Sequence, residues 1–184
     1  MKKSTHNILD YSFQGIVSED FLEFNEIKPR SSPKRDPETK KYDVTAVKLC
    51  YNEIKDLGGL EEALSAVIDV SELCLLDLSF NSIEFVSDHL TNFRKLKILK
   101  LHGNLINDIS EFDKLAVLPD LHTLTLHGNP WENESGNWKQ HILTRFANLK
   151  SLNFSGVSCA EKKDRERLRL RAMENKDRRK QRYH

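Results

Sequence analysis

The 184-residue chain has only three cysteines, Cys50, Cys74 and Cys159, an odd number with no CxxC pair among them. That is too sparse for a disulfide framework and fits free thiols in a reducing cytoplasm. No apolar run approaches the roughly 18 residues that cross a bilayer. The opening MKKSTHNILDYSF has two lysines but no apolar stretch of the kind a secretory signal carries. A membrane partner is therefore not expected. Missing too are a glycine-rich phosphate loop, a G-x-S-x-G elbow, an HExxH helix and any Cys/His cluster at metal spacing. The chain reads as non-catalytic and without a cofactor.

What the sequence does contain is repetition. The tetrapeptide LHGN occurs at Leu101 and again at Leu126, inside one leucine pattern. The template L-x-x-L-x-L-x-x-N-x-L is met by Val44, Val47, Leu49, Asn52 and Ile54, then by Leu73, Leu76, Leu78, Asn81 and Ile83. It is met again by Leu96, Leu99, Leu101, Asn104 and Ile106, and by Leu121, Leu124, Leu126, Asn129 and Trp131. A degenerate fifth copy keeps Leu149, Leu152 and Phe154 but has Val157 in the asparagine position. The asparagines are spaced by 29, 23 and 25 residues, the period of a leucine-rich repeat with helical outer arcs. The expected fold is α/β: a solenoid with a parallel concave sheet, helical convex arcs, a C-terminal cap and an extended basic helical tail. Leucines of the x-L-x-L-x strand point inward and stack from coil to coil. Asn52, Asn81, Asn104 and Asn129 form a structural ladder whose amides satisfy backbone groups at the bend. Gly103, Gly128 and Gly156 precede the asparagine position, where glycine relaxes the corner.

Composition divides the chain into three. Residues 1–43 form an N-terminal segment and linker, partly extended, whose apolar clusters ILDYSF and DFLEFNEI could tether to the repeats. Its 29–43 portion has three prolines and high charge. Residues 44–157 hold the solenoid and cap, with apolar positions 60, 64, 67 and 68 at helical spacing on the convex side. Residues 158–184 form a charged tail with eleven of the 29 Lys/Arg and five of the 28 Asp/Glu, on an otherwise acidic chain. The tail is predicted to be a helix from about Ala160 that leaves the cap and projects away. It would offer Arg165, Arg167, Arg169, Arg171, Arg178, Arg179 and Arg182 to an acidic partner surface.

The outward strand positions form rows across the coils. One runs Ala46, Leu75, Ile98, Thr123, Ser151; the second Lys48, Asp77, Lys100, Thr125, Asn153; the third Cys50, Ser79, His102, His127, Ser155. The candidate partner-binding residues on this face are Lys48, Leu75, Asp77, Ile98, Lys100, His102, Thr125 and His127. Lys48, Asp77 and Lys100 alternate in sign and should pair laterally. His102 and His127 should stand roughly 5 Å apart on adjacent strands, but no carboxylate or second thiol joins them, so they are read as repeat-derived rather than as metal ligands.

Asn129-Pro130, Trp138-Lys139 and the strand Leu149–Phe154 resemble the capping motif of cytosolic arrays such as the protein phosphatase 1 regulator and the spliceosomal U2 A-prime protein. Trp131 and Trp138 are then expected to be lids on the core. Taken with LDYSF, LDLSFN, KLAVLP and FSGV, the repeats resemble the leucine-rich repeat-containing protein 51 family. The resemblance implies a protein without catalytic activity, cytoplasmic, in ciliated or flagellated cells, where such repeat proteins serve as axonemal subunits. Expected partners are proteins, tubulin or axonemal subunits among them, with no obligate homo-oligomer. The alternatives are a ribonucleoprotein-associated or nucleic-acid-binding protein, and a regulatory subunit of a phosphatase or motor. A concave face that is not basic and lacks an aromatic platform argues against nucleic acid.

Overall fold

The computed structural model describes residues 8–133 and 136–181, with side chains to Arg171 in the last helix. The leucine template folds into one sheet of seven strands in sequence order. These are β1 (Ile8–Asp10), β2 (Ala46–Lys48), β3 (Leu75–Asp77), β4 (Ile98–Lys100), β5 (Thr123–Thr125), β6 (Ser151–Leu152) and β7 (Ser155–Gly156). The first six run parallel, and β7 turns back antiparallel on β6. The chain is a leucine-rich repeat solenoid.

Register places Leu9, Val47, Leu76, Leu99, Leu124 and Leu152 in a single file across the sheet, and all six are buried. The core is this file, the second leucine of each strand behind it, and the apolar side of the convex arcs. Repeat length decides what each arc becomes. The 29-residue repeat between Asn52 and Asn81 has room for a full helix, α1 (Leu60–Val67). The 23- and 25-residue repeats that follow close with 3₁₀ turns, Asp88–Asn92 and Ile109–Val117. The helical arcs expected on the convex side are thus mostly 3₁₀, because a short repeat must return the chain in fewer residues. Ser87, Asp69 and Asp108 start such turns by accepting a backbone N–H two residues on.

The N-terminal segment differs from expectation in one respect. LDYSF is not a tether lying on a solenoid that begins at 44; it supplies β1, which pairs Leu9 with Val47 and Asp10 with Lys48. Leu9, Tyr11 and Ile16 are buried as the leucines of a further coil, closed on the convex side by the turn Ser18–Glu26. Gln14 stands where the asparagine would be, and its amide donates to the Lys28 carbonyl instead.

Each ladder asparagine links two coils. The Asn104 amide donates to Leu101 O of its own coil and Leu78 O of the one before, while its Oδ1 accepts from Ile83 N. Asn52, Asn81 and Asn129 repeat the pattern one coil apart.

At the other end, α2 (Trp138–Arg145) and the β6–β7 hairpin close the core. Trp131 is fully buried and meets Trp138 edge to face, the centroids 5.4 Å apart. Gly156 lies in β7; the left-handed residues here are Asn153 and Phe154. The last helix, α3 (Cys159–Gln181), starts at a capping box. Ser158 and Glu161 exchange side-chain and backbone hydrogen bonds of 2.8–3.2 Å. Its first two turns stay on the cap. Lys139 reaches Glu161 at 2.6 Å, and Arg165 donates to Phe146 O and Leu149 O at the end of α2. Phe146 O lies at the end of α2 and Leu149 O in the loop that follows, where neither has a helical partner and each can take a donor. Arg165 is therefore part of the cap rather than free for a partner, and Leu168 and Arg171 further along still border α2.

Candidate functional site: the concave face and its rim

The concave strand positions fall in the register the repeats imply. Ala46, Leu75, Ile98, Thr123 and Ser151 form one row; Lys48, Asp77, Lys100 and Thr125 the next. The second row gains Asp10 from β1, so its signs alternate Asp10, Lys48, Asp77, Lys100. Lys100 Nζ lies 2.9 Å from Asp77 Oδ2, while Asp77 Oδ1 accepts from Ser79 N and Oγ. Asp10 makes the same pair of bonds to Ser12. Burial pushes the Asp10 carboxyl up, but Ser12, with Lys48 and Arg30 nearby, holds its pKa below the usual carboxylate value.

Not all of the candidate residues reach solvent. Asp77, His102 and Thr125 are buried; Lys48, Leu75, Ile98, Lys100 and His127 are half-buried. Asp77 thus orients Lys100 and Ser79 from below instead of touching a partner. The third row does not continue to Ser155, because the fifth repeat folds as a hairpin. Phe154 packs there against both histidines at 5.4–5.5 Å, and the Asn153 carboxamide accepts from Leu126 N.

His102 and His127 stack, with centroids 4.7 Å apart and planes 11° from parallel. Imidazole lone pairs lie in the ring plane, so parallel stacked rings send theirs side by side and do not converge on one ion. His102 Nδ1 is already engaged with Thr125 Oγ1 at 2.9 Å. Burial, and then His127, push the His102 pKa below 6.5, with Lys100 adding to the push and Asp77 opposing it. Among the described residues no three His, Cys, Asp or Glu side chains group as a metal site.

The feature missed in the sequence is at the rim. Phe13 stacks on Tyr51 at 4.2 Å, and Tyr51 on Phe80 at 4.4 Å, with planes within 11° of parallel. Phe80 then meets His102 edge to face at 5.0 Å. Six rings thus run along one edge of the concave face: Phe13, Tyr51, Phe80, His102, His127 and Phe154. Phe13, Tyr51 and Phe80 sit at φ of 54–58°, in the corner slot that Gly103 and Gly128 fill in the next two coils. A bulky side chain in the left-handed region costs about 1–2 kcal/mol, yet these rings remain 41–62% exposed. A signal was present: Tyr51 and Phe80 directly precede Asn52 and Asn81, the slot where glycine was noted in other repeats.

An aromatic platform therefore exists where none was expected. It does not suit base stacking, which needs a free ring face. Both faces of Tyr51 are covered by neighbours, and the Arg30 guanidinium lies 5.4 Å from the Phe13 centroid. The rim offers ring edges and aliphatic-like surface, which suits a protein partner.

In the tail, Arg167 pairs with Asp164 on its own helix, while Arg169 is half-buried and Arg171 exposed. The side chains of Arg178 and Arg179, and all of Arg182, lie outside the described residues. No described helix is long and apolar enough to cross a membrane.

No family model matches the chain. Leucine-rich repeat-containing protein 51 of Bos taurus is 38% identical over 156 residues, covering 84% of this chain and 80% of its own. The Homo sapiens protein of that name is 39% identical over 158 residues, with the same coverage. Among solved structures, a chain of the Drosophila melanogaster SNF/U2A′ complex superposes with a TM-score of 0.51 at 17% identity. That match covers 87% of this chain and 99% of the other, and is a likeness of fold.

Proposed function

The chain belongs to the leucine-rich repeat-containing protein 51 family, and from that premise we propose a non-catalytic adaptor, a structural subunit of a ciliary or flagellar axonemal assembly. It grips tubulin or another axonemal protein along the concave face, in the cytoplasmic compartment of the cilium. One observation carries the binding mode: three exposed aromatic rings held in strained backbone beside a row of alternating charge. Turning a corner needs only a glycine, as Gly103 and Gly128 demonstrate. Strain of this kind persists where the side chain is of use. Exposed apolar rings rimmed by charge are the composition of an interface centre, aromatic anchors within a polar margin. The axonemal setting rests on the sequence resemblance.

The test compares the native chain with Tyr51→Ser/Phe80→Ser in affinity purification from ciliated cells, after separation of soluble and axonemal pools. Matched melting temperatures would confirm that the double variant is folded like the native chain. The expected result is a set of axonemal proteins retained by the native chain and reduced at least tenfold by the variant. Equal retention would place the interface elsewhere, and recovery only from the soluble pool would refute the axonemal role.

A further inference from the structure

The two ends of the solenoid carry opposite charge on exposed faces of similar design. From Ile8 to Glu26, the first coil contains five carboxylates and no Lys, Arg or His. On its outer turn Glu19, Leu22, Glu23 and Glu26 border one shallow depression, and Leu22 is 90% exposed. Glu19, Glu23 and Glu26 have no ion-pair partner among the described residues. The segment that follows brings Arg30 and Arg35, but these donate to the Ser12 and Asn25 carbonyls. Lys55 borders the neighbouring depression without pairing.

At the far end, the exposed surface of α3 repeats the pattern with the sign reversed. Arg165 and Glu161 face the cap. Lys163, Arg167, Leu170 and Arg171, at i, i+4, i+7 and i+8, are exposed, Leu170 at 53%, with Glu166 at the margin. Arg167 and Arg171 border the depression against α2, where Arg167 also meets Asp164. A leucine flanked by three carboxylates and a leucine flanked by three cations are complementary in charge and apolar in the centre. They do not meet within one molecule. The first coil packs on the α1 side and α3 on α2, with β1 and β6 five strand spacings apart, roughly 24 Å.

We infer that the acidic first coil of one molecule receives the basic α3 helix of a second copy, so that the protein associates head to tail. The contact is heterologous: each copy uses a different patch, and growth is linear rather than closed. Individual exposed ion pairs contribute little, so the association is weak, concentration-dependent and sensitive to salt. Long-range attraction between oppositely charged patches acts mainly on encounter rate and register.

Sedimentation velocity of the full chain tests this. At low ionic strength the mean mass should rise at least twofold with concentration. It should return to the monomer near 1 M salt, where the Debye length is about 3 Å. Glu19→Lys/Glu23→Lys/Glu26→Lys and Lys163→Glu/Arg167→Glu/Arg171→Glu each remove one end and should be monomeric alone. Mixed, they should associate again as the native chain does, since the basic α3 of one meets the acidic coil of the other and the two reversed ends are complementary in turn. All six positions are exposed, and circular dichroism melts confirm that the variants fold. A native chain that stays monomeric at every concentration overturns the inference, as does association that survives either set of reversals.

Discussion

The inner rim has two halves built on the same scaffold. In the first three coils, the left-handed corner holds Phe13, Tyr51 and Phe80, stacked and exposed. In the next two it holds Gly103 and Gly128, and the rings have moved one residue back, to His102 and His127. The halves join where Phe80 lies across Gly103: a Cβ there would come within 2.7 Å of the Phe80 ring. The difference teaches that the corner can be made without strain, so the strained half is kept for its surface. It also confines the imidazoles to one half.

If the halves differ in surface and not in scaffold, the ladder behind them should be equally costly to break. Asn81→Ala removes buried hydrogen bonds to Leu49, Leu78 and Ile54 and a longer one to Ser79, and Asn104→Ala removes those to Leu78, Leu101 and Ile83. Each should lower stability by about 3 kcal/mol or more. Exposed Asn107→Ala should cost less than about 0.5 kcal/mol. Chemical denaturation measures all three. A gap above about 1 kcal/mol between the two ladder positions would show that the scaffold itself differs between halves.

A smaller effect probes the junction. Gly103→Ala should cost about 2 kcal/mol, combining left-handed backbone with the clash on Phe80. Phe80→Gly should change stability by less than about 1 kcal/mol, since relief of strain offsets the lost stacking. In the double variant the loss at Gly103 should shrink, because the ring it strikes is gone. Additive values in that cycle would mean the two residues do not meet as described.

The smallest effect separates the halves by pH. The folded His102 pKa lies below 6.5, so the unfolded chain takes up the proton more readily. Stability from this group is complete above pH 6.5 and falls as pH drops below it toward the folded value. His102→Phe should flatten that part of the profile, whereas Tyr51→Phe should leave it unchanged. Melting temperatures between pH 7.5 and about 5 decide it. An unaltered slope in His102→Phe would place the sensitivity elsewhere.

Much of this was legible because leucine and asparagine report directly on coil position. The register of Lys48, Asp77, Lys100 and Thr125 follows from the template, as does the spacing of His102 and His127. The first coil was hidden by chemistry rather than by distance. Tyr11 takes a leucine position and Gln14 an asparagine position, where its longer amide reaches the Lys28 carbonyl. The rim was hidden because its meaning depends on backbone sign, and nothing in the letters YN or FN announces a left-handed corner. Arg165 looked free because the carbonyls it meets, Phe146 and Leu149, are brought to it by the hairpin.

The ladder asparagines also give the fold a direction in time. Asn52, Asn81, Asn104 and Asn129 each hold backbone of their own coil and of the coil before it. A coil's ladder bonds are therefore complete only once its predecessor is in place. Synthesis delivers the coils in that same order, at about 5–20 residues per second, so each asparagine leaves the ribosome with its docking surface already laid down. Growth on the ribosome then resembles bricklaying, whereas a chain refolded from denaturant is free to nucleate at any coil and propagate from there.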